Sequence, residues 1–579
     1  MILQSLCVYY DRMDREPDST IPPLGFSQLN VHFCMEFDRS GKPVRIMDLR
    51  THSGKKVSPY KMLLPKQFAE KAGAKIMSQF VWETTGYAFG VDGKGKPERT
   101  KQAHEEFVAF NRSLLESVES VTVKAFFAFL NVWSPEMFAS FPQHEEALDQ
   151  NFVFRLEGER RFLHEVPEVQ ESWLSFYRQQ KGKTGQCLIS GELEQEIPST
   201  HPQLKGVKDA QSSGAAIVSF NDTAYESFGK KQNLNSPVGK RSAFAYTTAL
   251  NYLLDRSNRR KIQIGDATTV FWAEQATPAE EDLFQLLDPG FVQNEDLSEA
   301  DKANLEERIH GLLTAISLGR PPKSWEDSDC RFFILGLSPN AARISVRFFH
   351  DSTVAKLAET IGLHYQQMKV VRQFDREPAF PSPRQILKKL AIREDMKLLS
   401  PILSGQLMQA ILTGARYPQA LFSSVMGRVR AERHIDRIRA GLIKAILMRN
   451  HQQEITEMLD LDNRQIGYVL GRLFAVLEKL QDEAVPGTNA TIRDRFFSSA
   501  SSTPQRAFHM LIKNAQNHLA KLRKDPVYTG LSVVRDKMIT DLVALVPAYP
   551  ASMTIEDQGL FTLGYYHQKK DLFTKKAEK

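Results

Sequence analysis

The sequence predicts an α+β protein, with a large mixed body over residues 1–380 followed by a helical bundle over residues 386–579. Three observations predict it. Strand-like runs that alternate polar with apolar residues recur on both sides of helical segments in the first part of the chain. The stretch REPAFPSPRQ then places three prolines within residues 377–383, where proline both ends helices and stiffens a connection. Beyond it, apolar residues recur almost wholly at helical spacing. At 579 residues the chain also exceeds what a single core usually supports, so at least two domains are expected.

Taken in order, a short amphipathic start leads to a hairpin over residues 25–50. GFSQLNVHFCMEF alternates polar with apolar, DRSGK supplies the turn, and PVRIMDL returns. AKIMSQFVWETTGYAFGVDGKGKP reads as two short strands ending in a Gly/Lys loop. Helices are expected from Lys101 to Phe138. Strand-like runs return as NFVFRLEG, GQCLIS, AAIVSFN and TTVFWAE, interrupted by the helix SAFAYTTALNYLLDRS. RFFILGLSPNAARISVRFF reads as two strands around a Ser-Pro-Asn turn. Past the prolines, PRQILKKLAI, PILSGQLMQAILTG, a long run from Leu421 to Asn450, NRQIGYVLGRLFAVLEKLQ, TPQRAFHMLIKNAQNHLAKLRK and VVRDKMITDLVALV all read as helices.

A composition of 42% hydrophobic and 25% charged residues is that of an ordered globular chain. Cys7, Cys34, Cys187 and Cys330 are widely spaced with no CxxC pair, which argues against a zinc ribbon or disulfide framework and for a reducing, cytoplasmic setting. The N-terminus lacks the basic leader and apolar core of a signal peptide, and no stretch approaches the ~18 apolar residues that span a bilayer. The net charge of +6 resides in residues 488–579, with 14 Lys and Arg against 8 Asp and Glu, while residues 1–487 balance at 61 each. That surplus suits either a polyanionic partner or the solvated surface of a helical domain.

Catalytic signatures fail on spacing. QQKGKTGQ holds Gly182, Lys183 and Thr184, but Tyr177 stands where a phosphate loop needs its first glycine. HExxH, GxSxG and GxGxxG are absent from the sequence, and no spaced carboxylates suggest a metal pair. No cofactor is implied. His350 and Asp351 form a lone dipeptide that would need further ligands to serve a metal-dependent nuclease, the runner-up reading. The balance favours a binding protein over an enzyme.

Two basic features suit phosphate. In ARISVRFF, strand periodicity puts Arg343, Ser345 and Arg347 on one face and Ile344, Val346 and Phe348 on the other, either a phosphate-facing strip or a strand edge kept soluble by arginine. Around MGRVRAERHIDRIRAGLIKAIL, a continuous helix would bring Arg430, Arg433, Arg437 and Lys444 within about one sixth of the wheel. Glu432 and Asp436 supply some countercharge. Like charges stacked this way call for a polyanion or compensation nearby.

IPPLGFSQLNVHF, QFVWETTGYAFGVD, NFVFRLEG, GQCLISGE, HPQLKGVKDAQSSGAAIVSFN, AFAYTTALNYLL, FFILGLSPNAARISVRFF, GYVLGRLFAVLE and QGLFTLGYYHQKKDLF together resemble, nearly end to end and in order, the large subunit of the type I-C CRISPR Cascade. The resemblance implies a non-enzymatic subunit beside the 5′ end of the guide RNA. It would read the protospacer-adjacent motif in target duplex DNA, open the duplex, hold the displaced strand, and recruit a helicase-nuclease. Its other implied partners are the backbone, guide-capping and small subunits, with no membrane. Guide pairing carries most of the sequence specificity in such a complex, so few base contacts are needed.

Three polar stretches suit a motif reader, and the sequence does not choose among them. One is Lys205, Lys208, Gln211, Ser212 and Ser213, which alternatively form a turn entering a strand. The second is Lys230, Lys231, Gln232, Asn233 and Asn235; the third is Lys75, Ser78, Gln79, Thr84 and Thr85. The resemblance also implies a small subunit made from an internal start, with Met448 favoured over Met426 and Met458, so that about 448–579 is a separate product.

Overall fold

His32 divides the first long strand expected from the sequence. Its backbone N–H donates to the Asn151 carbonyl and its own carbonyl accepts from Leu49, so strands on either side of it join different sheets. The computed structural model describes residues 1–17, 19–53, 56–66, 76–179, 182–255, 258, 260–264, 266–280, 282, 307–308, 310–316, 318, 320, 325, 329–372 and 377–573. By chain contacts it forms two units: Met1–Leu204 with Ala216–Tyr252, and Lys205–Ala215 with Leu253–Lys579. The α+β class holds, with several small sheets and a helical C-terminal region.

In the first unit, helix α1 (Ile2–Arg15) precedes β1 (Phe26–Val31), β2 (Phe33–Phe37) and β3 (Pro43–Asp48). The hairpin is β2–β3, while β1 pairs antiparallel with β6 (Tyr60–Pro65); β4 (Thr51–Ser53) and β5 (Lys56–Ser58) form a small ribbon between them. A four-stranded sheet runs in the order β3-β2-β8-β7, with β7 at Trp82–Thr84 and β8 at Asn151–Leu156. The second strand expected around residue 88 is instead the short helix α2 (Thr85–Ala88). Helices α3 (Pro97–Leu115), α4 (Val121–Val132), α5 (His144–Ala147) and α6 (Pro167–Gln179) follow, and α3, α4 and α6 carry residues of the sheet's apolar core. That core is aromatic. Phe89 alone meets Phe129, Trp133, Phe138, Phe152 and Phe154 at centroid distances of 4.9–6.5 Å. Phe154, in the middle of β8, meets the Phe89 ring edge to face in the same cluster.

GQCLIS is not a strand: β9 (Lys183–Gly185) pairs with β10 (Gln195–Ile197), and Cys187 to Ser190 lie in the connecting loop. AAIVSFN also forms none, since residues 217–221 are irregular where the chain passes from one unit to the other. Helix α7 (Lys240–Leu254) is as expected.

The second unit carries the antiparallel sheet β11-β12-β13-β14: Lys261–Ile264, Ala267–Ala273, Arg331–Asn340 and Arg343–Thr353. The β13–β14 turn is Ala341–Ala342, not Ser-Pro-Asn, because β13 continues through those residues and Ala341 takes φ +51°. Helices α8 (Val354–Met368), α9 (Pro383–Leu390), α10 (Pro401–Thr413), α11 (Gln419–Glu432) and α12 (Arg437–His451) pack next, then α13 (Ile466–Ala484), α14 (Ile492–Ser502), α15 (Pro504–Arg523), α16 (Thr529–Ala544) and α17 (Ile555–Phe573). One continuous apolar core joins this sheet to these helices. Residues 377–383 sit inside this unit: Ser382 caps α9 reciprocally with Gln385, and Phe380 packs on the core.

Glycine lets α13 and α17 meet backbone to backbone. A Cβ on Gly471 would lie 2.0 Å from the Phe561 carbonyl oxygen, and one on Gly564 would lie 2.1 Å from that of Tyr468. Among the described residues no helix is long and apolar enough to cross a membrane.

Candidate nucleic-acid interface

Two loops present polar and basic side chains from anchored bases. In the second unit, residues 205–214 hang from β11 and β12: Lys208 N–H donates to Thr268 Oγ1 at 3.0 Å, and Lys261 Nζ donates to the carbonyls of Gly206 and Leu254. Gly206 sits at φ +94°, and any Cβ there would lie 2.8 Å from the Leu254 carbonyl oxygen. A second tight turn closes with Gly214 N–H donating to the Gln211 carbonyl. Lys205, Lys208, Gln211, Ser212 and Ser213 are all exposed. The loop is a held backbone with exposed polar side chains, the arrangement a groove reader needs.

The first unit carries the other loop, over residues 221–236, of which 221–232 are exposed without interruption. Asp222 caps one turn through Ala224 N–H. Ser227 and Lys230 form an isolated bridge around a two-residue turn whose centre, Phe228 and Gly229, lies at φ +51° and +68°. Asn235 holds that turn from behind: its Oδ1 accepts from Ser227 N–H at 2.9 Å and its Nδ2 donates to the carbonyls of Lys230 and Gln232 at 3.0 and 2.8 Å. Asn233 is buried and donates to the Pro198 carbonyl. So Lys230, Lys231 and Gln232 face solvent, while Asn233 and Asn235 are braces rather than readers. Neither lysine is ion-paired among the described residues.

Most of the third stretch is buried among the described residues. Ser78, Gln79 and Thr85 are buried; Ser78 Oγ donates to the Gln79 carbonyl, Gln79 N–H donates to Glu83, and Thr85 Oγ1 accepts from Asp149 N–H. Thr84 is half-buried, with its N–H donating to Glu83. These side chains fix the entry to α2, which corrects their reading as contacts. Lys75 lies outside the described residues.

The basic strip on β14 is broken by a bulge. Val346 pairs with Leu337 and Phe348 with Gly336, so Arg347 is the extra residue and strict alternation fails there. Val346 is exposed, and Arg347 is ion-paired with Asp266 at 2.8 Å. Arg343 is half-buried near the turn.

The four-cation wheel also fails, because the helix it assumed is two helices. Arg433, at φ +52°, ends α11, and Asp436 starts α12 by accepting from Arg439 N–H at 2.9 Å. Arg437 and Lys444 are buried. Arg437 donates to the carbonyls of Pro378 and Ala379, and Lys444 Nζ to that of Gln367, with burial pushing the Lys444 ammonium down to about 8. Only Arg430 and Arg433 remain exposed. Buried Arg439 joins this corner to the end of α9, donating to Glu432 and to the carbonyls of His434 and Lys389. Exposed Arg393 follows the same end of α9.

His350 and Asp351, the suspected metal pair, are consecutive strand residues opposite Ile334 and Phe333 and so point to opposite faces of the sheet. Asp351 is ion-paired with Arg331. Among the described residues no group of three or more His, Cys, Asp or Glu is placed to hold a metal.

The sequence reading missed Phe228, which is 97% exposed at the tip of the 221–236 loop. The only signal for it was the tetrapeptide Ser-Phe-Gly-Lys, a turn with an aromatic where a small residue is usual.

No curated protein matches the chain. The family model described as CRISPR-associated protein (Cas_Csd1) matches residues 6–573, nearly the whole length. The chain therefore belongs to the Cas_Csd1 family of CRISPR-associated proteins.

Proposed function

We propose that this CRISPR-associated chain is the DNA-recognition large subunit of a type I-C Cascade, acting in the cytoplasm. It reads the protospacer-adjacent motif in the target duplex, helps open it, stabilises the displaced strand, and recruits a helicase-nuclease without cutting DNA itself. Its partners are guide RNA, target DNA and the backbone, guide-capping and small subunits. The observation that carries this reading is the pair of anchored, exposed loops at 205–214 and 221–236, whose lysines, amides and hydroxyls suit phosphates and base edges. The exposed Arg430 and Arg433 supply further phosphate contacts, with counterion release as the driving term.

In this reading residues 1–380 carry recognition and assembly, and 386–579 line the displaced strand with a basic surface. A separately made small subunit fits the same scheme. A start at Met448 would carry along the last turn of α12, whereas exposed Met458 precedes α13 and would leave α13–α17 whole.

The test is co-purification with the other complex subunits and guide RNA, followed by binding to duplexes that differ only in the bases flanking the target. Discrimination that vanishes when Lys205, Lys208, Lys230 and Lys231 are replaced by alanine supports the reading. Flank-dependent binding by an assembly lacking this chain overturns it, as does metal-dependent DNA cleavage by the purified chain that is lost in His350→Ala.

A further inference from the structure

Phe228 combines three features that folding alone does not favour. A phenylalanine at φ +51° occupies backbone space that asparagine or glycine enters at far lower cost, and two-residue turns of this kind select Asn-Gly for that reason. The ring is 97% exposed, with none of the burial that ordinarily stabilises an aromatic side chain. Yet the turn beneath it is not loose. The Ser227–Lys230 bridge, the three hydrogen bonds of Asn235 and the Asn233 bond to Pro198 hold the backbone from which the side chain projects. Strain held by a rigid support marks a position kept for a contact outside the fold.

The neighbours of the ring define that contact. Lys230 and Lys231 are exposed and unpaired among the described residues, and Gln232 offers an amide beside them. One aromatic face, two cations and an amide on a single short turn match a nucleotide: the face covers a base, the cations meet its phosphates, and the amide reaches a polar edge. An apolar pocket on a protein would need neither lysine.

We propose that Phe228 stacks on an unpaired nucleobase, with Lys230 and Lys231 holding the adjacent phosphates. The inference rests on the nucleic-acid reading above and names the residue within it that meets a base. Stacking on one base is sequence-tolerant, because every base offers a π-face. Phe228 therefore adds affinity for opened strands without specifying their sequence.

The experiment uses the full chain and two probes, a forked DNA duplex and a single-stranded RNA, each carrying 2-aminopurine beside the expected contact. Phe228→Ala weakens binding to at least one probe by about 5- to 150-fold while the salt dependence stays unchanged. Phe228→Tyr restores binding and Phe228→Leu does not. The Lys230→Ala, Lys231→Ala pair instead lowers the salt slope by about two on the same probe. The probe that loses binding identifies the base as DNA or RNA, and altered 2-aminopurine emission that disappears in Phe228→Ala reports the stack directly. Equal melting temperatures of the variants exclude misfolding. Salt-dependent binding by the wild type that Phe228→Ala or Phe228→Leu retains within twofold on both probes overturns the stacking inference alone; loss of co-purification in that variant would reassign the ring to a protein pocket. Absence of binding by the wild type to either probe overturns the nucleic-acid reading with it.

Discussion

Arg437 grips the proline-rich segment: its guanidinium donates from both terminal nitrogens, to the carbonyls of Pro378 and Ala379. A stretch whose composition reads as a linker is thereby bound to the first turn of α12. The arginine is 6% exposed, so its charge is compensated by oriented carbonyls rather than by water.

Arg437→Ala leaves two carbonyls without that donor and is expected to cost about 3 kcal/mol of stability. Urea unfolding of the second unit measures it. Arg437→Lys does not rescue, because one ammonium cannot reproduce the planar fork. A loss under about 0.5 kcal/mol, the range of an ordinary surface substitution, would refute the clamp.

Arg430→Ala with Arg433→Ala gives the opposite profile. Both side chains are exposed, so stability is expected to stay within about 0.5 kcal/mol of wild type. Nucleic-acid affinity falls, and the slope of log K against log salt drops by about two. A titration at several salt concentrations reads it, and an unchanged slope would remove this corner from the interface.

Gly471→Ala is expected to destabilise on the order of 3 kcal/mol, since its methyl group would enter the Phe561 carbonyl at 2.0 Å and force α13 from α17. Gly427→Ala, within α11 and with no atom within 4 Å of the new methyl, is expected to stabilise by about 0.5–1 kcal/mol through helix propensity. Thermal melting of the two variants side by side tests whether backbone contact holds the helix pair.

Acid is expected to weaken both units. Burial pushes the imidazoles of His164 and His364 down to about 3 and those of His201 and His567 to about 4. In the unfolded chain they titrate near pH 6.5, so below that pH the unfolded state binds more protons. The stability from keeping these rings neutral is complete above about pH 6.5. It is lost as pH falls toward the folded values, by up to ~1.4 kcal/mol per pH unit for each ring. Urea midpoints between pH 7 and 5 give the slope. His364→Gln, which removes the ring 2.6 Å from the Tyr417 hydroxyl, should flatten it.

Much of the fold was legible because local pattern and tertiary role agreed. NFVFRL alternates, with Phe152, Phe154 and Leu156 on one face entering the aromatic core, and becomes β8, paired with strands on both sides in its sheet. SAFAYTTALNYLL keeps helical spacing and becomes α7. Several of the errors share a cause, a residue whose partner is far along the chain; the break at Arg433 is instead a local one. The break at Arg433 was hidden because apolar spacing continues through it, and the cap at Asp436 reads as one more surface acid. Arg437 and Lys444 look like surface charges until the carbonyls of Pro378, Ala379 and Gln367 arrive from elsewhere. The bulge at Arg347 depends on Phe348 lying over Gly336, where a Cβ would come within 2.4 Å of the ring. Of the candidate site, the two exposed loops were legible from their small polar residues, while the burial of Ser78, Gln79 and Thr85 required the packed fold.

The eleven residues Lys205–Ala215 belong to the second unit although sequence of the first unit flanks them on both sides. The polypeptide therefore crosses between units three times, and no single scission separates them. A fragment ending at Tyr252 would carry off a piece of its counterpart, while one beginning at Leu253 would lack the arm that Thr268 and Lys261 secure. The lysine-bearing tip at 205–213 thus gains its shape only once Lys261 and Thr268, further along the chain, have folded beside it.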